Sequence, residues 1–205
     1  MTVTGQLISA AKSVSTASLH EASGKRGALP STLKPLTAGM HMSGRALPVR
    51  CPAGDNLWLH RALAQAAVGD VLVVDCGAGL EYGYWGEIMA TAGVARGLAG
   101  LVINGGVRDS QALIVLGLPT FSATICIRGT GKDFNGRGSV GEPVQIGEII
   151  VNRGDLVIGD ADGVVVLAPE VAAGAVPAAQ RRDQDEVSIL EQVRAGAPTL
   201  EVYNL

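Results

Sequence analysis

Arg108 and Asp109 place a cation beside a carboxylate just after residues 101–104, a short apolar run that predicts a buried strand. Glu87 lies upstream, at the predicted start of the helix before that strand. A planar guanidinium suits a substrate carboxylate, and a neighbouring Asp suits a hard divalent cation. The three side chains together predict a site for a small oxo-acid and a metal ion.

A strand–helix–strand unit is expected to position these residues. VLVVD over 71–75 is typical of a strand buried on both faces, residues 87–96 predict a helix, and 101–104 a second strand. This succession implies a right-handed parallel crossover, and ligands of open α/β sheets bind where such strands end. The free N–H groups at the helix start, residues 86–89, would form an anion seat at the same edge.

Each of the three side chains also has an ordinary structural explanation. Asp109 could cap a short helix predicted from Ser110 to about Leu116, and Arg108 could be a surface cation. Glu87 would be favourable in the first turn of any helix. No single one of these alternatives explains all three residues, which favours the site.

The N-terminal third predicts mostly short elements. Two short helices are expected within residues 4–23, the second capped near Ser15 or Thr16, followed by an irregular segment over 24–44. Residues 45–51 predict a strand, in which Pro48 suggests an edge or a bulge. A helix capped by Asp55 should then run to about residue 67.

The sequence pattern changes after residue 119. A Gly-rich polar segment over 128–140 predicts a long functional or interface loop. Four short strands are expected at about 143–146, 148–151, 155–158 and 163–168. Asp160 and Asp162 are interpreted as part of a tight hairpin turn and not as metal ligands. A helix should begin at Pro169 and continue to about Arg194.

Composition excludes several classes of protein. The 205 residues fit a single domain, and 47% are hydrophobic, which excludes a disordered chain. The net charge of −3, without a basic stripe, argues against a nucleic-acid partner. No apolar run approaches membrane-spanning length and the N-terminus lacks a signal-peptide pattern, so a cytoplasmic protein without a membrane partner is expected.

Other potential sites are weaker. The loop after Asp75 contains several glycines, but it lacks the G-x-G-x-x-G spacing of a dinucleotide site, and a flexible loop is the favoured interpretation. The odd number of cysteines, with no CxxC, disfavours disulfides and thiolate metal sites; a reactive Cys76 stays an alternative. The histidines, at 20, 41 and 60, match no metal-ligand spacing.

Four segments resemble one known family. They are CPAGDNLWLHRAL (51–63), GDVLVVD (69–75), WGEIMATAGVARGLAGLVINGGVRD (85–109) and GDLVIGDADGVVVLAPE (154–170). In these segments the chain resembles the RraA-like family, which contains regulator of ribonuclease activity A and 4-hydroxy-4-methyl-2-oxoglutarate aldolase. The resemblance implies an α/β/β/α sandwich, related to swivelling β/β/α (phosphohistidine-domain-like) folds, as a single domain over 1–205.

The resemblance also implies roles for individual residues. In the family's aldolases the metal-ligand Asp, which holds Mg²⁺ or Mn²⁺, matches Asp109, and the carboxylate-binding Arg matches Arg108. The family's substrate-seating amides match Gly86, Glu87, Ile88 and Met89, and its upstream acid, commonly Asp, matches Glu87.

Family members assemble as homotrimers, sometimes paired into hexamers, with an acid from a neighbouring subunit's C-terminal helix. That helix matches about residues 169–195, and the acid matches Glu186 or, as the alternative, Asp183.

The resemblance implies two activities of different classes. One is metal-dependent cleavage of 4-hydroxy-2-oxo acids to pyruvate through an enolate, with decarboxylation of oxaloacetate through the same enolate. The other is inhibition of ribonuclease E by protein–protein contact. Glu87, Arg108 and Asp109 are all present, and the inhibitor needs no metal site, so the lyase is the favoured expectation.

Overall fold

The computed structural model describes residues 2–205. The helices, in chain order, are Gly5–Ala11 (α1), Thr16–Ala22 (α2), Leu57–Gln65 (α3), Glu87–Ala95 (α4), Ser110–Leu116 (α5), Pro169–Arg194 (α6) and Thr199–Val202 (α7). The strands are Lys34–Pro35 (β1), Met42–Arg50 (β2), Asp70–Asp75 (β3), Gly83–Trp85 (β4), Gly100–Val107 (β5), Thr120–Ile125 (β6), Ser139–Val140 (β7), Val144–Ile146 (β8), Ile149–Val151 (β9), Leu156–Asp160 (β10) and Gly163–Leu167 (β11).

Nine of these strands form one sheet in the order β1-β6-β5-β3-β2-β10-β11, with β4 beside β5 and β7 beside β2. The strands β2, β3, β5 and β6 are mutually parallel, which confirms the predicted crossover between β3 and β5. The hairpin β10–β11 turns at Asp160, whose Oδ1 accepts the N–H of Asp162 at 2.9 Å, as its interpretation as a turn residue predicts.

Three apolar cores arrange the elements in four layers. One face of the parallel strands packs against α3, α4 and α5 through residues such as Leu72 and Leu101. The other face, including Val73 and Phe121, packs against β10–β11 and the β8–β9 hairpin. The far side of β10–β11 then packs against α1, α2 and α6 around Val176. The sheet therefore folds over itself, and the α/β/β/α sandwich is confirmed.

Pro48 does not mark an edge or a bulge, and that prediction is wrong. Strand β2 is interior, with β3 on one side and β10 and β7 on the other. Its pairing with β10 ends at Arg45, and its pairing with β7 begins at Val49. Pro48 lies in the gap between them, so its missing N–H breaks no ladder bond, while its carbonyl accepts the N–H of Gly141 at 2.8 Å.

Several boundaries differ from the sequence-based ones. The segment over 24–44 contains β1 and the start of β2, and the glycine-containing loop predicted after Asp75 contains β4. Strand β5 continues through Gly105 and Gly106 to Val107, three residues beyond the predicted end. Helix α3 begins after Asn56, although Asp55 Oδ1 does accept the N–H of Leu57 at 2.8 Å.

Helix α6 confirms the predicted C-terminal helix. Its buried residues all lie in its first half, the last being Ala179, and α7 packs beside it. Its place at a subunit interface stays a prediction. Across residues 2–205, every helix is too short or too polar to cross a bilayer.

Candidate active site

The ends of β4 and β5 bring the predicted residues together. Strand β4 runs parallel to the last residues of β5, with Trp85 paired to Val107. Immediately after this pair, the N–H of Arg108 donates to the carbonyl of Trp85 at 2.9 Å. Helix α4 begins two residues after Trp85, so Arg108 and Asp109 lie against its N-terminus, as the crossover predicted.

Asp109 contacts α4, although it precedes α5. Its backbone is left-handed, with φ 57° and ψ 36°, and its side chain makes no capping hydrogen bond to α5. Instead, Oδ2 accepts the backbone N–H of Glu87 at 3.1 Å. The side chain is 45% exposed. The Asp109 carboxylate therefore does not cap α5. It joins the start of α5 to the start of α4 instead.

Arg108 lies beside this carboxylate, with Nε 3.9 Å from Asp109 Oδ2 and its own side chain also 45% exposed. Gly86 makes the close packing possible. A Cβ at Gly86 would overlap Asp109 Oδ2 and would lie 3.2 Å from both Cγ and Nε of Arg108. The space that a side chain at Gly86 would fill is thus occupied by the two charged groups.

The N-terminus of α4 supplies backbone donors beside Arg108. The first intrahelical bond is from Ala90 N to Gly86 O at 3.0 Å, so the N–H groups of Glu87, Ile88 and Met89 precede it. The first of these donates to Asp109, which leaves those of Ile88 and Met89 for an anion. The Met89 side chain packs in the core and that of Ile88 is 83% exposed.

Glu87, in the first turn of α4, is the acid beside Asp109. The carboxylate of Glu87 is exposed and has no hydrogen bond or ion pair within residues 2–205. The same described residues contain no group of three or more His, Cys, Asp or Glu side chains that could hold a metal. A cation at Asp109 would therefore complete its coordination with water and substrate oxygens. Mg²⁺ usually keeps several waters, so this donor set fits it.

Glu186 and Asp183 lie elsewhere in the chain. Both are on α6, which packs against α1, α2 and α7, whereas α4 and α5 lie in the opposite outer layer. Glu186 Oε1 is 3.0 Å from Arg182 Nε, one turn earlier in the helix. The structure of one chain does not bring Glu186 to Arg108, and its catalytic role stays a prediction that requires a neighbouring subunit.

Tyr84 lies in β4, next to Trp85, and was not singled out from the sequence. Its hydroxyl accepts the N–H of Gly54 and donates to the carbonyl of Gly79, both at 2.8 Å, which ties together the loops after β2 and β3. Burial raises the pKa of Tyr84 to about 12, so the hydroxyl stays protonated and keeps this donor role. A signal was present, since residues 82–85 place three aromatic side chains together in an aromatic-poor chain.

Cys76 lies beneath these loops and does not have the properties of a reactive thiol. It is fully buried. Burial, followed by a hydrogen bond with Cys51, raises the pKa of Cys76 well above its usual range, which disfavours the thiolate.

Comparison with known proteins identifies the family. A family model described as RraA-like (aldolase/RraA) matches residues 11–166. A protein of Halalkalibacterium halodurans named "Putative 4-hydroxy-4-methyl-2-oxoglutarate aldolase" is 32% identical over 158 residues, which are 77% of this chain and 74% of that protein.

Two solved structures share the fold over most of the chain. An uncharacterized protein from Pseudomonas syringae pv. tomato has a TM-score of 0.86 and 26% identity, covering 99% of this chain and 95% of that one. Streptomyces coelicolor RraAS2, described as an unusual member of the RNase ES inhibitor RraA protein family, has a TM-score of 0.77 and 26% identity, covering 89% and 94%.

Proposed function

The chain belongs to the RraA-like (aldolase/RraA) family, and on that premise we propose that it is a metal-dependent lyase that cleaves 4-hydroxy-2-oxo acids to pyruvate. Relatives named as aldolases support lyase activity in general. The finer proposal is a substrate of the 4-hydroxy-4-methyl-2-oxoglutarate type, with decarboxylation of oxaloacetate as a further activity. The observation that carries it is the hydrogen bond from Glu87 N–H to Asp109 Oδ2, because it fixes the Asp109 carboxylate, which lies beside Arg108, against the N-terminus of α4.

The substrate carboxylate is proposed to lie against Arg108 and the start of α4. The guanidinium can donate two parallel hydrogen bonds to a carboxylate. The N–H groups of Ile88 and Met89 add donors at the positive end of the helix dipole. Both Arg108 and this end of the helix are accessible from solvent, so a small 2-oxo acid can reach them.

Asp109 is the residue proposed to hold Mg²⁺ or Mn²⁺. The ion, when bound, supplies Lewis-acid stabilisation of the negative charge that develops on the substrate's 2-oxo oxygen. Asp109 is well suited to orient such an ion because its Oδ2 is fixed by the Glu87 N–H, while its Oδ1 accepts no hydrogen bond from residues 2–205.

Glu87 is proposed to act as the general base and then as the general acid. When the C3–C4 bond breaks, the electron pair of that bond forms the pyruvate enolate. The 4-hydroxyl loses its proton as C4 becomes a carbonyl. The Glu87 carboxylate takes that proton, directly or through a water, and returns a proton to C3 of the enolate. Loss of CO₂ from oxaloacetate gives the same enolate, so the same residues serve both reactions.

A homotrimer, or a hexamer of two trimers, would complete the site. In one chain, the second half of α6 carries Asp183 and Glu186 on a segment without buried residues. We propose that Glu186 of this segment reaches the Arg108 site of a neighbouring copy, where it would act as a second catalytic acid.

Pyruvate release tests the proposal. The purified protein is assayed with 4-hydroxy-4-methyl-2-oxoglutarate and with oxaloacetate, each with Mg²⁺ and with EDTA. We expect release from both substrates with Mg²⁺ and loss of release with EDTA. Release that persists in EDTA would contradict the metal proposal, and no release from either substrate with Mg²⁺ would contradict the lyase.

Absence of activity would favour the second candidate, a regulator that binds ribonuclease E without catalysis. The resemblance to the Streptomyces coelicolor protein motivates it. Inhibition of ribonuclease E cleavage that is unchanged by Asp109→Asn would support this candidate, because protein–protein contact needs no metal ligand.

A further inference from the structure

An open surface cavity lies where β2 ends against β7, apart from the candidate active site. Its volume is about 320 Å³. Its lining residues are Arg50, Arg137, Gly138, Ser139, Glu142 and Pro143. Arg50 ends β2, and β3 separates β2 from the strand that carries Arg108. Neighbouring strands are about 4.8 Å apart, so the two strands that lead to these arginines lie about 10 Å apart.

Strand register puts the polar groups on one face. Val49 pairs with Val140, and both side chains pack toward the core around α3. The next pair, Arg50 with Ser139, must point to the opposite face because side chains alternate along a strand. Arg137, two residues before Ser139, lines the same cavity. Two arginines and a serine therefore line the same cavity.

Gly138 fixes this arrangement from the other side. A Cβ on Gly138 would overlap the carbonyl of Arg50 and would meet the Trp58 ring, whose Nε1 donates to Gly136 O at 3.1 Å. The backbone between Arg137 and Ser139 is thus pressed against β2 and α3, so these two residues are held by packing.

The cavity is lined by more cationic side chains than acidic ones. Within residues 2–205, neither Arg50 nor Arg137 has an ion pair within 4.0 Å. Glu142 is the one acid in the wall. Asp75 lies beside Arg50 in the parallel register, but its Oδ1 accepts the N–H of Gly77 at 2.9 Å. A third cation, Arg153, lies close to the chain just before Glu142, since its Nη1 would lie 3.1 Å from a Cβ on Gly141.

We propose that this cavity binds a dianionic oxyanion, the phosphoryl group of a small metabolite or the free phosphate ion. Two guanidinium forks and a hydroxyl offer more donors than the two oxygens of a carboxylate can accept, whereas a phosphoryl group presents three or more oxygens and a charge near −2. The volume also falls in the range of small-molecule sites, which leaves room for the rest of a phosphate ester.

Titration calorimetry with inorganic phosphate, in a chloride buffer, tests the site. We expect the protein to bind phosphate, and Arg50→Gln and Arg137→Gln each to bind it at least about tenfold more weakly, since a hydrogen bond to a charged group is removed. Arg137→Lys keeps the charge without the fork and should fall between these values. Glycerol 3-phosphate distinguishes the two sources: tighter binding than phosphate identifies an ester, and binding no tighter identifies the free ion.

Two matched variants control for charge and for the other site. Arg96→Gln removes an exposed cation at the end of α4 and should leave phosphate binding unchanged. Because the start of α4 beside Arg108 can itself bind an anion, all of these titrations are made in an Arg108→Gln background. The proposal is overturned if the Arg108→Gln protein binds no phosphate, if adding Arg137→Gln leaves that binding unchanged, or if adding Arg96→Gln weakens it as much. Circular dichroism confirms that each variant is folded, which is expected for exposed arginines.

Discussion

Replacing Asp109 by Asn separates the proposed metal ligand from the structural role of the side chain. Asn has the same shape and tolerates the left-handed backbone found here, with φ 57°. Its amide oxygen can still accept the Glu87 N–H, at the 3.1 Å now spanned by Oδ2. What the substitution removes is the negative charge, which a hard divalent cation requires.

The expected effects on stability and on activity differ in size. Weakening one hydrogen bond from charge-assisted to neutral costs about 1 kcal/mol, and less for a side chain that is 45% exposed. For a chain of this length, that lowers Tm by about 4 °C at most. Lewis-acid stabilisation contributes several kcal/mol, so kcat/KM for pyruvate release should fall at least about a hundredfold, or about 2.7 kcal/mol.

The assay couples pyruvate release to NADH oxidation by lactate dehydrogenase, over a range of Mg²⁺ concentrations. Asp109→Asn with Mg²⁺ should match the wild type in EDTA. Asp162→Asn is the matched control, since it removes one carboxylate from an exposed turn and should leave kcat/KM unchanged. Most of the wild-type turnover at saturating Mg²⁺ would refute the ligand assignment. An unfolded variant would show instead that the contact with α4 is structural.

Three further variants test the remaining contacts. Gly86→Ala should lower kcat/KM at least about tenfold with the fold intact, because its Cβ would displace both Asp109 and Arg108; activity like that of the wild type would refute the close packing. Arg108→Lys should raise KM for any 2-oxo acid by a factor that corresponds to about 1–3 kcal/mol, because the bidentate fork is lost. Unchanged kinetics would show that Arg108 points elsewhere. Co-expressed Glu186→Ala and Arg108→Ala chains, confirmed as mixed oligomers by native mass spectrometry, should release more pyruvate than either variant alone; no gain would reject a shared site, and a monomer by light scattering would reject the assembly.

Continuous apolar runs made the central fold predictable. The apolar run over 71–75 is too short for a buried helix and follows a turn, whereas the segment that starts at Glu87 is long enough for one, and the crossover rule then sets their relative placement. The start of the C-terminal helix at Pro169 was predictable for a different reason, because proline is favoured in the first turn of a helix. These local signals agree with the tertiary structure because the same residues form the core.

The four short strands expected between residues 143 and 168 are present as β8 to β11, whereas β1, β4 and β7 were not predictable because pairing with distant segments creates them. Strand β4 has three residues, and it is extended only because β5 continues beside it past Gly105 and Gly106. The edge predicted at Pro48 was wrong because the rule that places proline at sheet edges uses only local sequence. It cannot show that β7 begins to pair with β2 one residue later, at Val49. In both cases the missing information lies in a segment distant along the chain.

The candidate site combines both kinds of information. The residue types of Arg108 and Asp109 indicated the chemistry, and the crossover placed them near Glu87. Only the structure shows that Asp109 leaves its own helix uncapped, since that depends on its left-handed backbone and on the absence of a side chain at Gly86. A left-handed Asp at the end of one strand and a glycine at the start of the neighbouring helix are therefore complementary: the first turns a carboxylate toward α4, and the second gives it room.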